Sequence, residues 1–141
     1  MAVVWGIRKG RIDVSVGNMA IERFEDIECW QMGRELSRQV YDMACHTGLK
    51  NDFSLKDQMS RSSGSIMDNV AEGFDSGSNA EFVRFLWYSK RSSTELQSQL
   101  YRALDRGYCD QTKFDEMYKL AHSAKSKIGS FIAYLKTHEK P

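Results

Sequence analysis

The stretch QMSRSSGSIMDNVAEGF, residues 58–74, places small and polar residues where a core helix is usually apolar. Its inner positions nevertheless recur at three- and four-residue spacing, which predicts an amphipathic α-helix. These positions, which begin just before the stretch, are Leu55, Met59, Ser62, Ile66, Val70 and Gly73. The small residues at 62–65 form a narrow waist. We therefore expect this helix to pack closely against a neighbour, with serine hydroxyls bonded to the preceding turn.

This helix is the second of the chain. We expect it to begin at Ser54, a good N-cap residue, and to end in the polar turn EGFDSGS. An earlier helix is predicted from about Glu25 to His46, because apolar residues recur there with helical spacing and acidic residues occupy the first turn. Gly48 follows as its C′ residue, a position where glycine commonly ends a helix.

Two further helices follow the quoted stretch. Ser78 and Glu81 form a capping box, S-x-x-E, that opens the third helix, and Gly107 ends it. Asp110 is expected to cap the fourth helix, which continues to near His138. The turn between the second and third helices is too short for anything but antiparallel neighbours. The sequence therefore predicts an all-α fold, an antiparallel up-down-up-down four-helix bundle.

The first 20 residues differ from the predicted bundle of residues 21–141. They contain glycines and β-branched residues without a helical period. We expect residues 1–20 to form a flexible N-terminal arm with little part in the fold. A short strand added to a neighbouring chain and a translation start at Met19 stay open as alternatives.

The charge of the chain limits what it can bind by electrostatics alone. The 141 residues carry a formal net charge of +1, which is less basic than isolated duplex-binding domains usually are. Residues 1–18 contribute a net +2 from Arg8, Lys9 and Arg11 against Asp13, so 17 basic and 18 acidic residues remain in the rest. A nucleic-acid site must therefore come from local patterning, or from an oligomer that concentrates one face.

Sequence patterns of metal and cofactor sites are absent. Cys29, Cys45 and Cys109 are far apart and form no CxxC pair, so we expect free buried thiols in a reducing cytosol rather than a zinc site or a disulfide framework. Neither HExxH nor a glycine-rich phosphate loop occurs. We predict no metal and no cofactor.

Membrane and catalytic patterns are absent too. The sequence has no run of about 18 apolar residues and no apolar core of a signal peptide, so we expect a cytoplasmic protein without a membrane span. His46, His122 and His138 stand in no recognisable triad arrangement, and no G-x-S-x-G surrounds a serine. We therefore expect no catalytic residues and no enzymatic activity.

Polar residues near the inner stripe of the second helix raise two interpretations. A buried Asn69 would need hydrogen-bond partners, and a buried Glu72 would need a cation. In one interpretation Gln58, Asn69 and Glu72 belong to a structural polar network that fixes helix register, or to a subunit interface. In the other, cationic side chains bind nucleic-acid phosphates. The candidates for those contacts are Arg61, Arg84, Lys90 and Arg91.

The segment FVRFLWY, residues 82–88, has apolar side chains nearly all round its helix. A lone bundle buries one face of each helix, so the surplus predicts a second interface and an oligomer. Trp87 and Tyr88, close to Lys90 and Arg91, would form an aromatic-basic patch on which bases stack. Burial of these aromatic residues in a core or a subunit interface is the alternative.

Three stretches resemble the four-helix-bundle family of 23S rRNA intervening-sequence proteins. They are RFEDIECWQMGRELSRQVY (23–41), QMSRSSGSIMDNVAEG (58–73) and SNAEFVRFLWYSKRSSTELQSQL (78–100). The resemblance covers about residues 21–135. Matching positions in the second stretch are Gln58, Arg61, Ser65, Ile66, Asn69, Ala71, Glu72 and Gly73. The third stretch matches at Glu81 and Glu95, which join the residues assigned to a structural polar network or an interface.

The resemblance implies an antiparallel bundle that assembles as a homopentameric ring, without enzyme activity. Nucleic-acid binding is proposed for the family, and the distantly similar accessory variability proteins of diversity-generating retroelements work with a reverse transcriptase and its RNA. This chain has Met67 where the family often has proline, Ser60 where it often has a basic residue, and an uncharged or acidic turn at 74–77. The last two differences remove positive charge, which weakens the RNA interpretation.

The leading hypothesis is a non-enzymatic, oligomeric helical-bundle protein that acts as an RNA- or nucleoprotein-associated module. Its partners would be further copies of the chain and RNA or a nucleic-acid-handling protein. The alternative is a protein-interaction scaffold, a ring that docks another protein and never binds nucleic acid. The near-neutral charge of the chain favours this alternative.

Overall fold

The computed structural model describes residues 3–8, 11–16 and 19–138, with side chains from residue 22 onward. Four long helices make up most of this part of the chain. They are α1 (Glu28–His46), α2 (Phe53–Phe74), α3 (Asn79–Asp105) and α4 (Gln111–Thr137). Short 3-10 helices at Phe24–Asp26 and Gly48–Asn51 precede α1 and α2.

The helices close into a bundle because each one packs against the next in the chain and α1 also packs against α4. The predicted antiparallel four-helix bundle is confirmed. All four helices contribute fully buried side chains, so the bundle has one continuous core. The largest of these side chains include Leu36, Leu55, Met59, Ile66, Phe82, Leu86, Leu96, Leu100, Met117 and Ile128.

Three strands precede the bundle. They are β1 (Val3–Arg8), β2 (Arg11–Val16) and β3 (Met19–Ile21). They form an antiparallel sheet in the order β1-β2-β3, with Val3 opposite Val16 and Val14 opposite Ile21. The predicted flexibility of residues 1–20 stays a prediction. The side chains of Arg8, Lys9 and Arg11 lie outside the described residues.

Two predicted helix starts were wrong. The helix expected from Glu25 begins at Glu28, because residues 24–26 form a separate 3-10 turn. The N-cap of α2 is Asp52 rather than Ser54, since Asp52 Oδ1 accepts a hydrogen bond of 3.3 Å from the backbone N–H of Leu55.

The caps of the last two helices were predicted correctly. Ser78 and Asp110 accept hydrogen bonds from the backbone N–H groups of Glu81 and Lys113, at 3.2 and 2.8 Å. The carboxylate of Glu81 does not complete the capping box. It accepts a 2.8 Å hydrogen bond from Arg84 instead.

Glycines allow close contacts at both sides of α2. A Cβ on Gly33 of α1 would lie 2.9 Å from Ile66 Cγ2 and 3.0 Å from the backbone nitrogen of Met67. A Cβ on Gly73 of α2 would lie 2.9 Å from atoms of Phe82 and Phe85 in α3. The backbone of α2 is therefore approached closely by α1 near Ile66 and by α3 near Gly73.

Candidate nucleic-acid interface

The seam between α2 and α3 is polar and closely packed. Ser92 Oγ donates a 2.9 Å hydrogen bond to Ser65 Oγ, and Ser62 Oγ donates a 2.6 Å bond to Gln99 Oε1. Ser63 bonds to the preceding turn, to Met59 O at 2.8 Å. The packing role predicted for the serines is therefore confirmed, because their hydroxyls bond across the seam and back to their own helix.

Two of the predicted network residues take part in this seam. Gln58 Oε1 accepts a 2.6 Å hydrogen bond from Arg102, and half-buried Asn69 donates 2.8 Å bonds to both oxygens of Ser65. Gln99 and Arg102 were not predicted from the sequence. The helical spacing indicates that Gln99 lies on the inner face of α3, because it stands three residues after Leu96 and four before Ala103, which are both buried.

The three glutamates assigned to the network are all exposed. Within residues 22–138, Glu72 and Glu95 form no hydrogen bond or ion pair, and Glu81 binds Arg84 of its own helix. The contacts across the seam are therefore made by uncharged groups together with Arg102. An interface role for the glutamates stays a prediction.

A charged cluster closes one end of the same seam. Asp52 Oδ2 accepts hydrogen bonds from Tyr108 Oη at 2.8 Å and Arg106 Nη1 at 2.6 Å. The hydroxyl of Tyr108 and the guanidinium of Arg106 lower the pKa of the Asp52 carboxyl. The bond to Asp52 raises the pKa of Tyr108 in turn. The cluster ties the start of α2 to the end of α3.

The four predicted phosphate contacts do not lie together. Arg61 is on the outer face of α2 and pairs with Asp57 at 3.0 Å. Because Ser62 lies opposite Gln99, Arg61 is about two helical turns from Arg91 along the bundle axis. Arg61 is therefore separated from the candidates Arg84, Lys90 and Arg91 of α3.

The α3 candidates surround exposed aromatic rings. Trp87 is 39% exposed, and Lys90 Nζ lies 4.9 Å from its ring centroid. Lys136 of α4 reaches the same ring at 5.6 Å. The guanidinium of Arg84 lies 5.1 and 6.0 Å from the rings of Phe85 and Tyr88. The predicted aromatic-basic patch is thus present on α3, and it extends onto α4.

Charge is strongly segregated around this patch. Residues 82–94 of α3 and 117–138 of α4 belong to helices that pack together, and the two segments contain seven basic and no acidic residues. Residues 62–83, in contrast, contain four acidic and no basic residues. The near-neutral net charge of the chain therefore hides an uneven distribution of charge along the helices.

We call the positive surface the basic face and define it by five cations on α3 and α4, of which Lys90 and Lys136 lie against Trp87. They are Arg84, Lys90, Arg91, Lys125 and Lys136. Of these, only Arg84 has an ion-pair partner within residues 22–138. The hydrogen bond to Glu81 raises the pKa of Arg84. Four of the five cations are thus free of a carboxylate partner in the described part of the chain.

Lys125 and Lys136 were not predicted as part of the site from the sequence. The signal was present, because the 22 residues at 117–138 contain four lysines and no carboxylate. Lys125 lies one helical turn before Gly129. The Nζ atom of Lys90 lies 3.7 Å from the position that a Cβ atom on Gly129 would occupy. The pairing of α3 with α4, which the bundle supplies, is needed to join these lysines to Lys90.

The described residues give no support for a metal site or a membrane span. Across residues 22–138 no group of three or more histidine, cysteine, aspartate or glutamate side chains is placed to hold a metal ion. Among the helices that the structure describes, none is long and apolar enough to cross a membrane.

A solved structure shares the bundle. It is described as a protein with unknown function from the S23 ribosomal protein family of Bacteroides thetaiotaomicron VPI-5482. The match has a TM-score of 0.67 at 17% sequence identity and covers 74% of this chain and 97% of the other. At this identity the likeness concerns the fold alone. No curated protein matches the chain.

The family assignment comes from the sequence itself. The profile of the family described as 23S rRNA-intervening sequence protein matches residues 25–130. That range spans α1, α2, α3 and most of α4, so it includes the polar seam and all of the basic face except Lys136. The chain belongs to the 23S rRNA-intervening sequence protein family.

Proposed function

We propose that this protein is a non-enzymatic, oligomeric helical-bundle protein that associates with RNA through the basic face. The observation that carries the proposal is the pair of packed, acid-free segments at 82–94 and 117–138. Phosphate groups supply most of the sequence-independent affinity of nucleic acids for proteins. Cations without carboxylate partners are available to phosphates at little cost, because no existing ion pair has to break.

The residues of the basic face would have different tasks. Lys90, Arg91, Lys125 and Lys136 would contact phosphates directly. Arg84 would have to exchange Glu81 for a phosphate, so its contribution would be smaller. Arg61 lies apart and already pairs with Asp57, so it is not part of this contact surface. An rRNA partner would place the protein in the cytoplasm.

Oligomerisation would strengthen this function. Three aromatic side chains away from the basic face are strongly exposed, namely Tyr41 at 73%, Phe53 at 72% and Tyr101 at 51%. Exposed aromatic residues of this size are typical of protein interfaces. A homopentamer would bury part of this surface and repeat the basic face five times, which would concentrate positive charge in spite of the neutral chain.

The same exposed aromatic residues favour a second candidate function, a scaffold ring that docks a protein and binds no nucleic acid. The two functions differ in their response to salt. RNA affinity should fall steeply as salt is added, whereas apolar docking should change little. Purification from native lysate with and without ribonuclease, followed by light scattering, separates a ring that carries RNA from one that carries only a protein.

The direct test is RNA binding by fluorescence anisotropy over a series of salt concentrations. The double variant Arg84→Ala/Arg91→Ala should bind more weakly, with a slope of log affinity against log salt that is shallower by about 0.7–0.9 for each lost contact. The matched control is Arg38→Ala/Lys50→Ala, which removes two exposed charges from α1 and the turn that follows it. Equal losses in both variants, or affinity that does not depend on salt, would contradict the proposal.

A further inference from the structure

We infer that the basic face takes an unpaired nucleic-acid strand, with one base stacked on Trp87 and the neighbouring phosphates on Lys90, Arg91 and Lys136. This inference rests on the proposed function and specifies the form of its ligand. Its basis is the position of Trp87, which is 39% exposed at the centre of the cations rather than buried in the bundle.

The lysines that lie over the Trp87 ring can move to a phosphate, which would leave the ring free to stack on a base. Two ammonium groups lie within 6 Å of the centroid of Trp87, where the ring attracts them electrostatically. A phosphate attracts an ammonium group far more strongly than an aromatic ring does. An incoming strand would therefore draw a lysine to its backbone and open a face of Trp87 to the adjacent base.

A second exposed ring lies beside the first. Tyr88 is 40% exposed, next to Trp87 in sequence and about 100° around the helix. Arg91 is four residues after Trp87 and three after Tyr88, so its side chain lies on the same outer face as the two rings. Aromatic rings interleaved with cations are the arrangement by which proteins bind single strands, because every base has a face that stacks.

A duplex would not use this arrangement. Its bases are stacked on one another and present only their edges in the grooves, so a ring on the convex surface of a helix bundle cannot reach a base face. The lysines and arginines would still contact duplex phosphates. Trp87 should consequently separate the two forms of nucleic acid, whereas the cations should not.

The test compares an unstructured single-stranded RNA of 12 uridines with a 12-base-pair RNA duplex, at one salt concentration, by fluorescence anisotropy. The wild-type protein should bind the single strand more tightly. Trp87→Ala should weaken single-strand binding about thirtyfold, the middle of the range for loss of one stacked base, and leave duplex binding unchanged. Trp87→Phe, which keeps a stacking ring, should recover most of the loss.

Several outcomes would overturn the inference. Equal losses for both RNAs, no loss for either, or tighter binding of the duplex would each do so. So would dissociation of the oligomer by Trp87→Ala in light scattering, because the ring would then belong to a subunit contact. Circular dichroism of both variants controls for folding.

The inference and the proposed function fail in different ways. If the wild-type protein binds neither RNA, the proposed function fails. If it binds both RNAs in a manner that depends on Arg84 and Arg91 but not on Trp87, the proposed function stands and only the inference about the unpaired strand is lost.

Discussion

The hydroxyl of Ser89 in α3 donates a 2.7 Å hydrogen bond to the backbone carbonyl oxygen of Ile66 in α2. Both residues are completely buried. A serine side chain extends only one atom beyond Cβ, so this bond requires the two helix backbones to approach closely. The small side chain of Ser92 and the missing side chain of Gly73 continue the same close approach along α3 and α2.

Replacing Ser89 tests how much of the seam depends on size and how much on the hydrogen bond. Ser89→Ala keeps the small volume and removes one bond, which should cost about 1 kcal/mol of unfolding free energy. Ser89→Leu should cost more, about 1–3 kcal/mol or above, because the added carbons have no space between the backbones. Urea denaturation measures both. A leucine variant as stable as the alanine variant would refute the close approach.

The two glycines Gly33 and Gly64 should respond to alanine with opposite signs. A Cβ on Gly33 would meet the backbone of Met67 at 3.0 Å, which cannot move aside as a flexible side chain can. We expect Gly33→Ala to destabilise the protein by about 1–3 kcal/mol. Gly64→Ala has nothing within 4 Å of the new atom and should stabilise it by about 0.5–1 kcal/mol, because alanine is the better helix former.

Thermal or urea denaturation of the two alanine variants decides this point. Each is the control for the other, since the substitution and the helical setting are the same. Stabilisation of similar size in both variants would mean that helix propensity and not the contact between α1 and α2 sets the effect of the substitution.

The fold could be predicted from the sequence because its signals are local. Apolar spacing identified four helices, and Ser78 and Asp110 cap helices through their own neighbours in the chain. The cap of α2 was missed for the opposite reason. Ser54 is also a good cap residue, and Asp52 is favoured by Arg106 and Tyr108, which only the tertiary structure brings to it.

The candidate site was harder to predict because its residues come from different helices. Glu72 was assigned to the polar network as a residue near the inner stripe of the second helix, yet it lies four residues after exposed Asp68 and shares the outer face of α2. Lys136 was missed because its partner Trp87 is 49 positions away. Long-range pairing of this kind has no periodic signal in a single sequence.

The three cysteines should react with iodoacetamide in a fixed order. Cys45 is exposed and should react first. Cys109 is half-buried, and burial together with Asp110 raises the pKa of its thiol, so its reaction should be slower. Burial raises the pKa of Cys29 to about 12, which leaves on the order of one thiolate in ten thousand at pH 8.

Mass spectrometry after timed quenching gives this order directly. Cys29 should be modified only when the protein is unfolded in urea. The variant Cys45→Ser should lack the fast phase and keep the slower one unchanged. Early modification of Cys29 in the native protein would show that the contact between α1 and the core opens more readily than its burial indicates.

The carboxylate of Asp52 should make the stability of the bundle depend on acid pH. Its pKa in the folded protein is lowered, first by the hydrogen bond from Tyr108 and then by Arg106, from an ordinary value of 3.8. A carboxyl group whose folded pKa is depressed contributes stability that is complete above its unfolded pKa. That contribution is lost as the pH falls below 3.8 and through the folded value.

Two variants separate this charge effect from the cap. Asp52→Asn keeps an acceptor for the backbone of Leu55, since asparagine is also a good N-cap residue, but removes the charge. It should be less stable than the wild type at neutral pH, and the difference should shrink as the pH falls below 3.8. Tyr108→Phe removes the largest cause of the shift, so the Asp52 carboxyl should titrate at higher pH, as followed by NMR.

Asp57→Asn, on an exposed pair with Arg61, is the control and should change the acid profile little. If the stability of the wild type and of Asp52→Asn depends on pH in the same way across the acid range, the charge of Asp52 does not contribute to that dependence.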